Sequence, residues 1–112
     1  MEFGIHRTDQ LSVRVDDLSK ITEAMAYLRA NPPATLLDEK VGFEDLLPDN
    51  DILRLTTRNA RVVIRPSGTE PKLKAYLEVV QPTTREALAE SRRTADAAMA
   101  TLRNETAAAL GL

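Results

Sequence analysis

The alternation of apolar and polar residues along the chain predicts several short β-strands. Residues 11–15 read Leu-Ser-Val-Arg-Val, which has the period of a strand with one buried face. The same alternation returns at 51–57, 61–65 and 72–80, and 41–43 adds a shorter strand. Because turn residues separate strands that follow one another directly, the pattern predicts antiparallel neighbours in one sheet.

Two other segments have the three- and four-residue apolar spacing of amphipathic helices. The first covers residues 18–28, follows Asp17 as its N-cap, and ends at two consecutive prolines that cannot continue the hydrogen-bond ladder. The second begins at a capping box at 83–86, is rich in alanine, and ends before Gly111. The chain therefore has two predicted helices, one on each side of the main group of strands.

The order of these elements predicts an α+β fold. We expect an antiparallel sheet of about four strands with two helices packed on one of its faces. The helices would cover the apolar face of the sheet and leave its polar face open. An open sheet face is unusual for a free-standing domain and normal for a piece of a larger protein.

Composition limits the classes to which the protein can belong. The chain has 112 residues, of which 43% are apolar, enough for one hydrophobic core. It has no run of 18 apolar residues and no apolar N-terminal segment, so we expect a cytoplasmic protein that binds no membrane. The absence of cysteine excludes disulfides and thiolate zinc sites. The single histidine, His6, is interpreted as a linker residue outside any strand.

Charge is unevenly distributed along the chain. The formal net charge is −2, yet residues 52–74 hold six basic side chains and one acidic side chain, a net charge of +5. Residues 31–51 have a net charge of −5. A positive segment in a slightly acidic chain indicates either a focused anion site or solvated strand edges, and charge alone favours neither.

The segment 65–72, Arg-Pro-Ser-Gly-Thr-Glu-Pro-Lys, has the composition of a phosphate-binding loop. Arg65 carries a planar fork of donors, and the hydroxyls of Ser67 and Thr69 can donate to phosphate oxygens. Gly68 permits a close approach of the backbone, whose consecutive amides can form an anion-binding nest. The spacing is not that of a nucleotide P-loop. A hairpin turn in which the acidic residue pairs with a nearby base is the alternative.

This motif, with the strand Leu-Lys-Ala-Tyr-Leu-Glu-Val-Val after it, closely resembles the phosphate-binding loop of the α-D-phosphohexomutases, the family that includes phosphoglucomutase and phosphomannomutase. The resemblance covers residues 11–112, as the family's C-terminal domain, whose fold resembles that of the TATA-box-binding protein. Residues 1–10 are interpreted as a linker from a preceding domain or as residues added for expression. Matching positions imply that the substrate's non-reacting phosphate is bound by Arg65, Ser67, Gly68 and Thr69, with Glu70 and Lys72 in supporting roles.

The resemblance also implies what surrounds this domain. Family members have four domains around one cleft: a phosphoserine domain, a magnesium-binding domain, a sugar-recognition domain, and the fourth, which closes the cleft during intramolecular phosphoryl transfer. The implied partners are a hexose phosphate, whose sugar the sequence does not specify, and the other three domains. Mg²⁺ would be bound by another domain, and this chain would be a monomer without a cofactor.

The parts needed for catalysis are missing from this sequence. There is no Ser-His-Asn nucleophile segment, and neither hydroxyl of the loop has a base to activate it. The segment 49–51, Asp-Asn-Asp, lacks the third aspartate and the glycines of the family's metal loop, so we interpret it as a turn. We therefore expect no catalytic residue in this chain and no mutase activity from it alone.

Two other classes of function remain as alternatives, a nucleic-acid-binding module and a protein-interaction module. The net charge of −2 and the single aromatic residue among the basic strands, Tyr76, oppose nucleic-acid binding, which uses basic surfaces and several stacking aromatics. We predict that the chain elutes from heparin at low salt. Strong, salt-dependent retention without any response to sugar phosphates would favour nucleic acid. A monomer that gives no response to phosphate would favour the interaction module.

Overall fold

Within residues 4–67 and 70–111, which a computed structural model of the chain describes, the protein has seven strands and two helices. In chain order they are β1 (Gly4–Arg14), α1 (Leu18–Ala30), β2 (Thr35–Leu36), β3 (Glu39–Lys40), β4 (Gly42–Asp45), β5 (Leu53–Thr56), β6 (Ala60–Pro66), β7 (Lys72–Pro82) and α2 (Leu88–Leu110). The predicted α+β class is confirmed.

Five of these strands form one antiparallel sheet in the order β1-β7-β6-β5-β4, and β2 and β3 form a separate hairpin. Strands β4 to β7 follow one another as a meander, and β1 joins them at the free edge of β7. β7 pairs with β1 over the full length of both strands and with the whole of β6. The sheet therefore has one strand more than predicted, and β7 links the first strand of the chain to the meander.

Both helices lie on one face of the sheet, as predicted, and enclose a single core. β7 supplies four residues that are at most 2% exposed, Leu73, Ala75, Leu77 and Val79. α1 adds Met25 and Leu28, and α2 adds Leu102 and Leu110. The alternation that sends these residues inward sends the polar residues of β7 to the other face, which no helix covers.

The start of α1 is as predicted. The carboxylate of Asp17 accepts a hydrogen bond from the backbone N–H of Ser19 at 2.9 Å, which satisfies one of the free donors of the first turn. The hydroxyl of Ser19 also donates to this carboxylate, and these bonds hold the pKa of Asp17 below its usual value.

The predicted capping box at the start of α2 is wrong. The helix begins at Leu88 with Ala87 as its N-cap, and no side chain caps it. The hydroxyl of Thr83 donates instead to the carbonyl of Thr84 at 3.1 Å. Strand β7 continues to Pro82, where it still pairs with β1, so the chain uses the next residues to leave the sheet and turn back. Among the described residues, no helix is both long and apolar enough to cross a membrane.

The first strand is longer than the sequence predicts. It begins at Gly4, so residues 4–10, assigned above to a linker, continue the pairing with β7. His6 consequently lies in a strand, opposite Val80, with its side chain exposed. A domain boundary near residue 10 stays a prediction, because pairing within the sheet does not define where a preceding domain ends.

The hairpin of β2 and β3 is not predicted by the sequence. Its two turn residues, Leu37 and Asp38, have φ values of 53° and 62°, a left-handed conformation that usually requires asparagine or glycine. A carboxylate from α2 supports the turn, since Glu105 accepts the backbone N–H of Leu37 at 2.8 Å. A tertiary contact therefore stabilises a turn whose residue types do not favour it.

The helix-facing core should dominate the stability of this domain. Leu28 is 0% exposed and Leu18, on the same helix, is 62% exposed. We expect Leu28→Ala to lower the free energy of unfolding by about 2–5 kcal/mol, because it leaves a cavity in the core. Leu18→Ala, the same change at an exposed site, should alter it by no more than about 0.5 kcal/mol. Urea denaturation measures both, and equal effects would contradict the described packing.

Candidate anion-binding site

The residues singled out by the sequence meet at the end of the β6–β7 hairpin. The backbone N–H of Ser67 donates to the carbonyl of Lys72 at 2.8 Å and extends the ladder beyond the last residue of β6. The N–H of Lys72 donates to the carbonyl of Glu70 at 2.7 Å, which closes a tight turn around Pro71. The predicted site residues Gly68 and Thr69 lie outside the described residues.

Two cross-strand pairs beside this loop bring like charges together on the open face of the sheet. Arg14 of β1 lies opposite Lys72, and Arg65 of β6 lies opposite Lys74, the next residue of β7 on that face. Side chains directly opposite each other in an antiparallel sheet are close neighbours, and like charges in such positions destabilise it. Each pair therefore favours an anion beside it.

The first cation pair has an anion within the chain. Nη2 of Arg14 lies 2.6 Å from Oε2 of Glu70, and Nζ of Lys72 lies 3.9 Å from the same oxygen. The main chain reinforces this contact, since the N–H of Val15 donates to the carbonyl of Pro71 at 2.9 Å. Glu70 thus joins the loop to the end of β1 and compensates the charge of the first pair.

The second cation pair differs in this respect. No carboxylate of residues 4–67 and 70–111 lies within 4.0 Å of the charged nitrogens of Arg65 or Lys74. The other two arginines of this face do have such partners. Arg54 contacts Glu44 at 2.8 Å, and Arg61 contacts Glu78 at 3.6 Å.

Arg65 and Lys74 therefore form an uncompensated positive site in the described part of this face. The backbone of Ser67 is fixed two residues from Arg65, so a hydroxyl is available beside the two cations. A fork of guanidinium donors, an ammonium group and a hydroxyl suit the binding of a phosphate oxyanion.

Sequence reasoning gave no role to Lys74 or to Arg14. Lys74 was only one of the basic residues between 52 and 74, and Arg14 is 56 residues from the glutamate that it contacts. The signal that identifies both is strand register: once β1, β6 and β7 are aligned, each of these cations lies opposite another cation. Alternation along single strands does not reveal such pairs.

Other polar residues considered in the sequence lie away from this site. His6 pairs with Val80 near the far end of β7, roughly 27 Å along the strand from Lys72, so it is no base for Ser67. The segment 49–51 follows a turn that contains a cis Leu47–Pro48 bond. The carboxylate of Asp51 accepts a hydrogen bond from Arg29 of α1.

The described residues do not provide a magnesium site. No three Asp, Glu or His side chains of residues 4–67 and 70–111 come together as ligands of one ion would. A groove of about 480 Å³ lies near the opposite end of β7, between the β2–β3 hairpin and α2. Its lining includes Asp38 and Glu39 and no lysine or arginine, so its charge disfavours a phosphate.

Comparison with known proteins identifies the family. Residues 11–97 match the family model described as "Phosphoglucomutase/phosphomannomutase, C-terminal domain". A protein of Haemophilus influenzae named as a probable phosphomannomutase is 46% identical over 82 residues, which cover 69% of this chain and 17% of the relative. A phosphoglucomutase of Staphylococcus aureus is 30% identical over 97 residues, which cover 68% of this chain and 18% of the relative.

The chain thus spans less than a fifth of the length of either relative. The family match includes the β6–β7 hairpin and all the loop residues discussed above, and it extends into α2. The chain belongs to the phosphoglucomutase/phosphomannomutase family, of which it represents the C-terminal domain.

Proposed function

We propose that this chain is the domain that binds the non-reacting phosphate of a hexose phosphate in a phosphohexomutase. The observation that carries the proposal is the Arg65–Lys74 pair, two opposed cations without a carboxylate partner among the described residues. A phosphate group would act on this pair as Glu70 acts on Arg14 and Lys72. The relatives named phosphomannomutase and phosphoglucomutase act on substrates that carry such a group.

Each proposed site residue has a distinct role in binding. Arg65 would hold two phosphate oxygens with its planar fork, and Lys74 would neutralise the second charge of the dianion. The hydroxyl of Ser67 would donate to a third oxygen. The resemblance adds Gly68 and Thr69, which would contribute backbone and hydroxyl donors. Lys72, already close to Glu70, would support the loop rather than bind the phosphate.

In the whole enzyme, this binding would position the sugar for the reaction at its other end. Phosphoryl transfer depends mainly on positioning and on compensating charge, so a fixed grip on the non-reacting phosphate contributes directly to the rate. We propose that the domain also closes the cleft over the bound sugar and so excludes water. The phosphoserine and the Mg²⁺ site would belong to other domains, in a cytoplasmic enzyme, and no step is assigned to them here.

The open face offers little support for nucleic-acid binding. Two of its arginines, Arg54 and Arg61, are engaged by carboxylates of neighbouring strands, which lowers the positive potential along the sheet. Tyr76 is exposed on this face between them and the loop. Uncompensated charge is concentrated at one end of one hairpin, as a small anion requires, and not along a groove.

Titration with inorganic phosphate or glucose 6-phosphate should perturb the amide resonances of residues 65–67 and 74. One or two charge-assisted bonds contribute roughly 1.5–3 kcal/mol each, and the entropy of association opposes them, so we expect a Kd of roughly 1 mM. Arg65→Ala should abolish these shifts. Arg54→Ala, which removes a paired arginine of the same face, should leave them in place. Shifts scattered away from the loop would argue against the proposal.

The isolated chain should not interconvert glucose 1-phosphate and glucose 6-phosphate. Its described residues combine no nucleophile with a base, because His6 and Ser67 lie near opposite ends of the sheet. A coupled assay on the purified chain, with a full-length mutase as the positive control, measures this. Turnover that co-purifies with the chain and disappears in Arg65→Ala would show that the domain has a catalytic role of its own.

A further inference from the structure

The two like-charged pairs at the end of β7 are neighbouring places where a phosphate could bind. Lys72 and Lys74 point to the same face of the strand and lie about 7 Å apart along it. Each has an arginine directly opposite, Arg14 on one side and Arg65 on the other. Cation pairs alone would therefore offer a phosphate two positions, separated by about the size of a sugar ring.

Glu70 distinguishes these two positions. Its carboxylate contacts both cations of the first pair, Arg14 at 2.6 Å and Lys72 at 3.9 Å. Its backbone is held as well, because its carbonyl accepts the N–H of Lys72, and the next carbonyl, that of Pro71, accepts the N–H of Val15. The side chain is only half-exposed. The glutamate is thus fixed beside Arg14 and Lys72, and the second pair has no such partner among the described residues.

We infer that Glu70 is a built-in counter-anion that closes the Arg14–Lys72 pair to phosphate and so confines the substrate phosphate to the Arg65–Lys74 pair. The inference rests on the proposed function of this loop. Glu70 is a positioning residue in this arrangement, since it acts through the two cations that it occupies and does not touch the ligand. Its negative charge also repels a phosphate that approaches the first pair.

The requirement for one binding position follows from the proposed reaction. A sugar held by its non-reacting phosphate presents its other end at a place fixed by that phosphate. A displacement of about 7 Å would carry the reacting oxygen out of range, because productive geometry tolerates errors of about 1 Å or less. Selection between two adjacent cation pairs is therefore a selection of productive substrate poses.

The test is Glu70→Gln, which keeps the size of the side chain and removes its charge. In the unaltered chain, phosphate should shift the resonances of residues 65–67 and 74 only, and Arg65→Gln should weaken binding by more than about tenfold, the loss expected for one charge-assisted contact. In Glu70→Gln, phosphate should also shift residues 14 and 72. In the double variant Glu70→Gln with Arg65→Gln, binding should persist within about threefold of Glu70→Gln, now at the first pair.

Glu44→Gln is the matched control. Glu44 also pairs with an arginine of the same face, Arg54, at 2.8 Å, but that arginine lies opposite Val63 on β6 and not opposite a second cation. Its removal changes the net charge equally and should create no new phosphate site. Thermal unfolding of each variant shows that it is folded, so that a lost shift reports on binding.

Each outcome of this comparison has a definite meaning. If the unaltered chain binds phosphate through Arg65 but Glu70→Gln gains no shifts at residues 14 and 72, the inference is overturned and the proposed function stands. The same holds if Glu44→Gln and Glu70→Gln behave alike, since net charge then explains the change. If the unaltered chain gives no Arg65-dependent shifts, the proposed function fails, and the role of Glu70 in selecting the position fails with it.

Discussion

The register of β7 is the constraint on which this domain depends. Every second residue of the strand must face the helices, because Leu73, Ala75, Leu77 and Val79 fill the centre of the core. A slip of one residue would move this whole set to the open face, so burial fixes the register. The same register fixes which polar side chains meet across β1, β7 and β6. The cation pairs at the loop are therefore held in place by the packing of apolar residues on the other side of the sheet.

The sequence predicts the elements of this fold better than it predicts their contacts. The α+β class, the first helix with its Asp17 cap, and the inward-facing residues of β7 follow from local periodicity, and the structure confirms them. The failures occur where a distant partner decides. Residues 4–10 lack a clear alternation and become a strand because β7 extends alongside them, and this extension also displaces the start of α2 from the predicted capping box. The turn at Leu37 depends on Glu105, 68 residues away.

The candidate site divides in the same way. The chemistry of the loop can be recognised from its residue types, since arginine, hydroxyls, glycine and proline in this order suit a phosphate. What no linear pattern contains is the division of labour among the cations. Arg14 belongs to another strand, and Lys74 is indistinguishable in sequence from any basic residue on a polar sheet face. Only the alignment of three strands separates the cations that the protein compensates itself from those that it leaves to a ligand.

The pairing of β1 has a consequence for the order in which the domain can assemble. Among the described residues, the only strand partner of β1 is β7, and each of their pairs joins residues at least 58 positions apart. On a ribosome, β1 is thus made early and waits for most of the chain to emerge, whereas the meander can form from neighbouring strands. The junction of Arg14 with Glu70 completes only at this late step. Competence to bind phosphate would then arise together with the closing of the sheet, so a half-made domain would expose its cations without a defined place for an anion.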